Sequence, residues 1–111
     1  MAKISIKPLS VNQAWGGRTF KSAKYKKYIS DVLAILPIDF EIPEGKLRIK
    51  LEFGLSSGGG DWDNPIKPFV DILQLKYGFN DSRIYRAEVI KTIVKKKEEF
   101  IRFELLSIDG D

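Results

Sequence analysis

The chain contains no cysteine and no histidine. The first absence excludes disulfides and thiolate-held metals. The second removes the commonest general base, the Ser-His-Asp and Cys-His arrangements, and histidine-held zinc. Any hydrolytic chemistry must therefore come from carboxylates, lysine and a metal held through oxygen. No apolar run approaches the roughly 20 residues that a membrane span needs. Met1-Ala2-Lys3-Ile4 opens no signal-peptide core, which predicts a cytoplasmic protein with no membrane partner. What is present suits a folded domain: 43% apolar and 31% charged residues are not a disordered composition. At 111 residues there is length for one core, and no linker divides it, so 1–111 reads as a single domain. A net charge of +4 and a pI near 9.3 imply basic surface, which favours a polyanionic partner.

Hydrophobic periodicity predicts the elements. Ile4 and Ile6 alternate with polar residues before Pro8, as in a short first strand. Asn12 to Arg18, with Gly16-Gly17, reads as a loop. Ser22 can cap a helix that runs to about Leu36 and is stopped by Pro37; Tyr25, Tyr28, Ile29, Val32 and Leu36 form its apolar face. Leu47, Ile49, Leu51 and Phe53 alternate with charged residues in the clearest strand pattern of the chain. Ser56 to Gly60 is a flexible loop without the spacing of a P-loop. A second helix is expected from about Pro65 to Tyr77, with Gly78 as its C′ residue. Ile84 to Val94 and Phe100 to Ile108 read as a terminal hairpin across Lys95-Lys96-Lys97-Glu98. The order strand-helix-strand-helix-strand-strand places the chain in the α+β class.

The chemistry concentrates in one segment. Asp61, Asp63, Asp71 and Asp81 stand close together in a chain that is otherwise basic. Two like charges about 4 Å apart cost roughly 4 kcal/mol at an effective dielectric of about 20. A fold that gathers Asp61, Asp63 and Asp81 therefore needs a cation, and oxygen-only ligands suit Mg²⁺ or Mn²⁺. The plainer alternative makes Asp63 or Asn64 a helix cap, Asp61 a solvated loop residue and Lys67–Asp71 an ordinary i, i+4 pair. Against it, a cap needs one carboxylate, not two flanking a tryptophan in a glycine-rich loop. The spacing of Asp63, Lys67 and Asp71 would also line all three along one helix face, opposite a stripe of Ile66, Phe69, Val70 and Leu73. Pro68 predicts an irregular first turn.

Asp61-x-Asp63-Asn64-x-x-Lys67-x-x-x-Asp71-x-Leu73, followed by Asn80-Asp81-Ser82-Arg83-Ile84, resembles the signature of the RusA-type Holliday junction resolvases. Pro8-Leu9-Ser10-Val11-Asn12, with Trp15 and a basic helix after it, is similar to that family's N-terminal segment. The resemblance covers roughly residues 4 to 108. It implies a RusA-like fold with a small mixed sheet and two helices. It also implies a homodimer that cuts four-way DNA junctions symmetrically in recombination and repair, with Mg²⁺ as cofactor and Mn²⁺ as a substitute. Carried over by position, Asp61, Asp63 and Asp81 match the essential, metal-holding carboxylates and Lys67 the essential lysine. Asn64, Asp71 and Asn80 would stand behind them. Asn80 departs from the pattern, since members commonly carry Asp there; the loss of charge would weaken metal binding.

Arg18, Lys21, Lys24, Lys26 and Lys27, interleaved with Trp15, Phe20 and Tyr25, form the densest basic stretch. Arg18, Lys21, Lys24 and Lys27 are the expected phosphate contacts on branched DNA; the alternative for Lys27 is a pair with Asp31. Trp62 either packs against the body of the protein or stacks on a base at the junction. Two rival readings remain: a junction-binding protein that has lost catalysis, and an unrelated Mg²⁺ enzyme acting on nucleotides. The second would want a nucleotide-binding glycine motif, which is absent.

Overall fold

The computed structural model describes residues 1–14 and 21–108. Seven elements follow the chain: β1 (Ala2–Ile4), α1 (Val11–Ala14), α2 (Ala23–Ile35), β2 (Leu47–Leu55), α3 (Ile66–Tyr77), β3 (Ile84–Ile93) and β4 (Phe100–Ser107), with a 3₁₀ turn at Asp81–Arg83. They build a small α+β domain around one mixed sheet of order β1-β4-β2-β3. Among the described residues no helix is long and apolar enough to cross a membrane.

Both long helices form as their patterns demand. The Ser22 hydroxyl accepts from the Tyr25 N–H at 3.1 Å and caps α2, whose Tyr25, Tyr28 and Val32 are buried. Gly78 closes α3 in the left-handed conformation, φ 67°, with its N–H on the Gln74 carbonyl. No side chain caps the start of α3. The residue before it is Pro65, so neither Asp63 nor Asn64 serves as the cap. Two turns precede the helix instead, with Asn64 N–H on Asp61 O and Ile66 N–H on Asp63 O. Pro68 thus falls in the first turn, where its missing N–H has no intrahelical acceptor to lose.

Two expectations are corrected. The loop expected from Asn12 begins with a single helical turn, α1, because Ser10 turns the chain: its hydroxyl accepts from Asn12 N–H and its carbonyl from Gln13 N–H. The rest of that loop lies outside the described residues. The terminal hairpin does not form either. β3 pairs in parallel with β2, while β4 pairs antiparallel with both β2 and β1. The connection through α3 is a crossover, which returns the chain in the direction of β2 and so delivers a parallel neighbour. β4 then takes the other side of β2, where Ile101, Phe103 and Leu105 reach the core. Burial decides between the two strands. β4 is apolar enough for the middle of the sheet, and β3 is exposed enough for its edge.

One face of the sheet carries the core beneath α2 and α3. Phe69 meets Phe53 and Phe103 edge-on, with ring centroids 6.2 and 5.6 Å apart. Among the described residues no polar or charged residue is buried as a whole. The Tyr28 hydroxyl is the exception at the level of atoms: it is enclosed with no well-formed hydrogen bond, the Leu9 backbone being the group that interacts with it, and burial pushes its pKa up. The opposite face is charged, with Arg102 on Glu52 at 3.1 Å and Lys50 on Glu88 at 3.9 Å. Gly54 is required there, since a Cβ would sit 2.3 Å from the Phe100 ring.

Candidate functional site

An open cleft of about 830 Å³ lies between α3 and the β2–β3 side of the sheet. Its floor is apolar, from Ile49, Leu51, Val70 and Val89 among others, and its rim carries Trp62, Asp63, Lys67 and Asp81. Asp63 comes from the turns before α3, Lys67 from the first turn of α3, and Asp81 from the 3₁₀ turn beyond its C-terminus. The fold therefore brings three of the four expected catalytic residues to one cavity. Asp61 stays exposed in the adjoining turn and does not line it. Among the described residues no three carboxylates converge closely enough to form a cation site.

Lys67 donates to Asp71 Oδ1 at 3.0 Å. That hydrogen bond and the Asp71 charge raise its pKa above 10.5, and the Asp81 charge adds to the effect. The ammonium is thus held protonated by the Asp71 carboxylate, and the Asp81 charge acts in the same direction. Asp71 itself lines a neighbouring groove with Lys21, Tyr25 and Ile29.

Polar ties hold the segments that carry the acids. Gln74 accepts from the Asp81 N–H at 2.8 Å and places its amide nitrogen 3.3 Å from Asp71 Oδ1. It couples the lysine's partner to the turn bearing Asp81. Asn80 caps that turn, its Oδ1 accepting from Ser82 N–H at 2.8 Å. Asn80 therefore does a job at this turn that Asp does equally well. Arg83 fastens the same turn to the Gly45 and Pro43 carbonyls. Asn64 contributes its backbone, whose carbonyl accepts from Val11 N–H at 2.8 Å and joins α1 to the acidic segment. Lys91 reaches from β3 to the carbonyls of Gly58 and Gly60 and pins the glycine-rich loop. Gln74 was not legible as a site residue, and Arg83 stood in the motif without an assigned role. A glutamine on a helix face carries no pattern until the chain closes around it.

Trp62 does not pack into the body: it is 57% exposed at the mouth of the cleft. On α2, Lys27 pairs with Asp31 at 2.8 Å, as its alternative reading had it. The Lys21 ammonium lies over the Tyr25 ring. Lys24 lines a shallow groove with Lys7 and Lys27. Arg18, Trp15 and Phe20 lie outside the described residues.

No protein-family model matches this chain, and no curated protein matches it.

Proposed function

We propose that this protein is a metal-dependent endonuclease that resolves four-way DNA junctions as a homodimer, as the RusA-like motif implies. The observation that carries this reading is the sharing of one open cleft by Asp63, Lys67 and Asp81, which come from three successive segments: the turns before α3, its first turn and the 3₁₀ turn beyond its end. Mg²⁺ is ordinarily held by one or two carboxylates, with waters and substrate phosphate oxygens completing its shell. Asp63 and Asp81 are a fitting donor pair of that kind, and Asp61 stands in the adjoining turn. Bound there, the ion would supply Lewis acidity and charge neutralisation at a phosphodiester. Lys67, kept cationic by Asp71, binds a phosphoryl oxygen and stabilises the charge that develops on it. Asp71 and Gln74 position the lysine and Asp81 relative to each other.

The rival reading, a junction-binding protein without catalysis, draws on Asn80, which brings no charge where the motif commonly has Asp. One experiment separates the two. A labelled immobile four-way junction is incubated with the protein, with and without Mg²⁺ or Mn²⁺, beside Asp63→Asn. Paired, metal-dependent nicks that Asp63→Asn lowers by orders of magnitude, with binding retained, are the expected result. Undiminished cleavage by Asp63→Asn overturns the assignment, and binding without nicks favours the rival.

A further inference from the structure

The cleft has more apolar wall than a phosphate site can use. Ile49, Leu51, Ile66, Val70, Ile84 and Val89 line it, while its charged groups stand at the rim. A phosphodiester or a hydrated cation loses solvation against aliphatic walls. Apolar surface gathered in an open concavity is instead the mark of a groove that takes an apolar group. Trp62 stands at the mouth of this floor, 57% exposed and next in sequence to Asp63. Its backbone is firmly placed although its indole is not covered. Asn64 N–H donates to Asp61 O, Ile66 N–H to Asp63 O, and the Lys91 ammonium to the Gly60 carbonyl on the loop that leads in. The ring is a platform set in advance, which spares a ligand the cost of ordering it.

We propose that the cleft holds one unstacked nucleobase, its face on the Trp62 indole and its phosphate at the Lys67 ammonium on the rim. This rests on the reading of the site as one for branched DNA and adds what the site recognises there. Nucleobases are the part of a polyanion that has apolar faces, so they suit a floor of Ile, Leu and Val beneath a rim that bears a cation. The net charge of +4 favours the same partner. About 830 Å³ is within the range of ligand clefts. Inside a duplex a base is stacked on both faces and does not reach the ring. Extruding one costs least where pairing or stacking is already interrupted, as at a branch point. Trp62 therefore discriminates by stacking state. It does so with little regard to which base is offered, because every base has a π-face.

The test measures binding by the whole protein without divalent metal, so that no strand is cut. The probes are an immobile four-way junction, the same junction with abasic sites at its centre, and a linear duplex. Trp62→Ala should weaken junction binding roughly 5- to 100-fold and leave duplex binding as it was. Trp62→Phe should restore most of the loss. Abasic sites should weaken wild-type binding by a similar factor, and Trp62→Ala no further. The salt dependence of binding should be unchanged in Trp62→Ala, since no phosphate contact is lost. Thermal melts of each variant separate lost stacking from lost folding. The chain has two tryptophans, so in a Trp15→Phe background the remaining indole reports directly. Its emission should be open to acrylamide in the free protein and shielded on the junction.

Equal losses on junction and duplex, or indifference to the abasic sites, overturn the proposal. An indole already shielded in the free protein overturns it too, since another surface then covers the platform. Cleavage is read separately. Base-dependent binding without nicks under Mg²⁺ keeps the base site and removes the nuclease, whereas nicking that ignores both Trp62→Ala and the abasic sites does the reverse.

Discussion

On the helix-covered face of the sheet, Phe53, Phe69 and Phe103 interlock with Leu47, Ile72 and Leu73 at no more than 1% exposure. Around the cleft, Asp63, Lys67 and Asp81 are exposed and are placed by single hydrogen bonds, Lys67 donating to Asp71 and the Asp81 N–H to Gln74, and by backbone turns. The first region is held by dense apolar contact that no single polar group controls. The second is held by a few directional contacts, each replaceable by water. Stability and chemistry therefore reside in different residues, and substitutions should separate them.

The largest effect on folding is expected inside the core. Phe69→Ala removes the ring that joins β2, β4 and α3 and should cost about 3–5 kcal/mol. In calorimetry that is a fall of roughly 10–30 °C in Tm. A loss of only a few degrees would show that the core is less interlocked than its contacts suggest.

Next comes the tie between the two regions. Gln74→Leu leaves the helix intact but frees the Asp81 turn and the Asp71 carboxylate. Misplacement of a reacting group by about 1 Å can cost on the order of 100-fold in rate. Junction cleavage should accordingly fall about 10- to 100-fold while Tm moves by a few degrees at most. A large Tm loss with cleavage per folded molecule unchanged would make Gln74 merely structural.

Asp71→Asn should act more weakly and show itself in pH dependence. The native Lys67 has a raised pKa, so the pair's contribution is complete below pH 10.5 and is lost as pH climbs through the raised native value. The lysine and aspartate side chains are 66% and 32% exposed, which limits the pair to about 1 kcal/mol or less. In Asp71→Asn the alkaline limit of cleavage should move to lower pH, with little change in Tm at neutral pH. An unmoved limit would mean that Asp71 does not govern the charge on Lys67.

Tyr28→Phe should do least. Its hydroxyl is enclosed with no well-formed hydrogen bond, the Leu9 backbone offering at most a weak one, so removal is neutral or slightly stabilising in a melt. A drop of several degrees would reveal a hydrogen bond to that hydroxyl.

The elements with strong local patterns were legible in the sequence. Ser22 caps α2, Gly78 ends α3, and the alternation from Leu47 to Phe53 is β2, because caps, glycine at positive φ and period-2 burial are local demands. The pairing of β3 was not legible. A strand, a polar turn and a strand look like a hairpin, and only competition for the two sides of β2 excludes it. At the site, the acidic segment and Lys67 could be named from spacing, whereas Gln74 and the anchoring role of Arg83 could not, since their partners lie on other elements.

By itself the sequence determined the chemistry on offer: no histidine or cysteine, oxygen ligands, one lysine among aspartates, and basic residues elsewhere. Composition excludes whole classes of reaction, and side-chain periods are set by backbone geometry alone. Tertiary structure decided which of those groups meet. Asp63 and Asp81 share a cleft because α3 crosses from β2 to β3 and the turns at its two ends face one cavity. Asp61 stays outside that cavity for the same reason: its neighbourhood is set by turns and packing, which spacing along a chain does not encode.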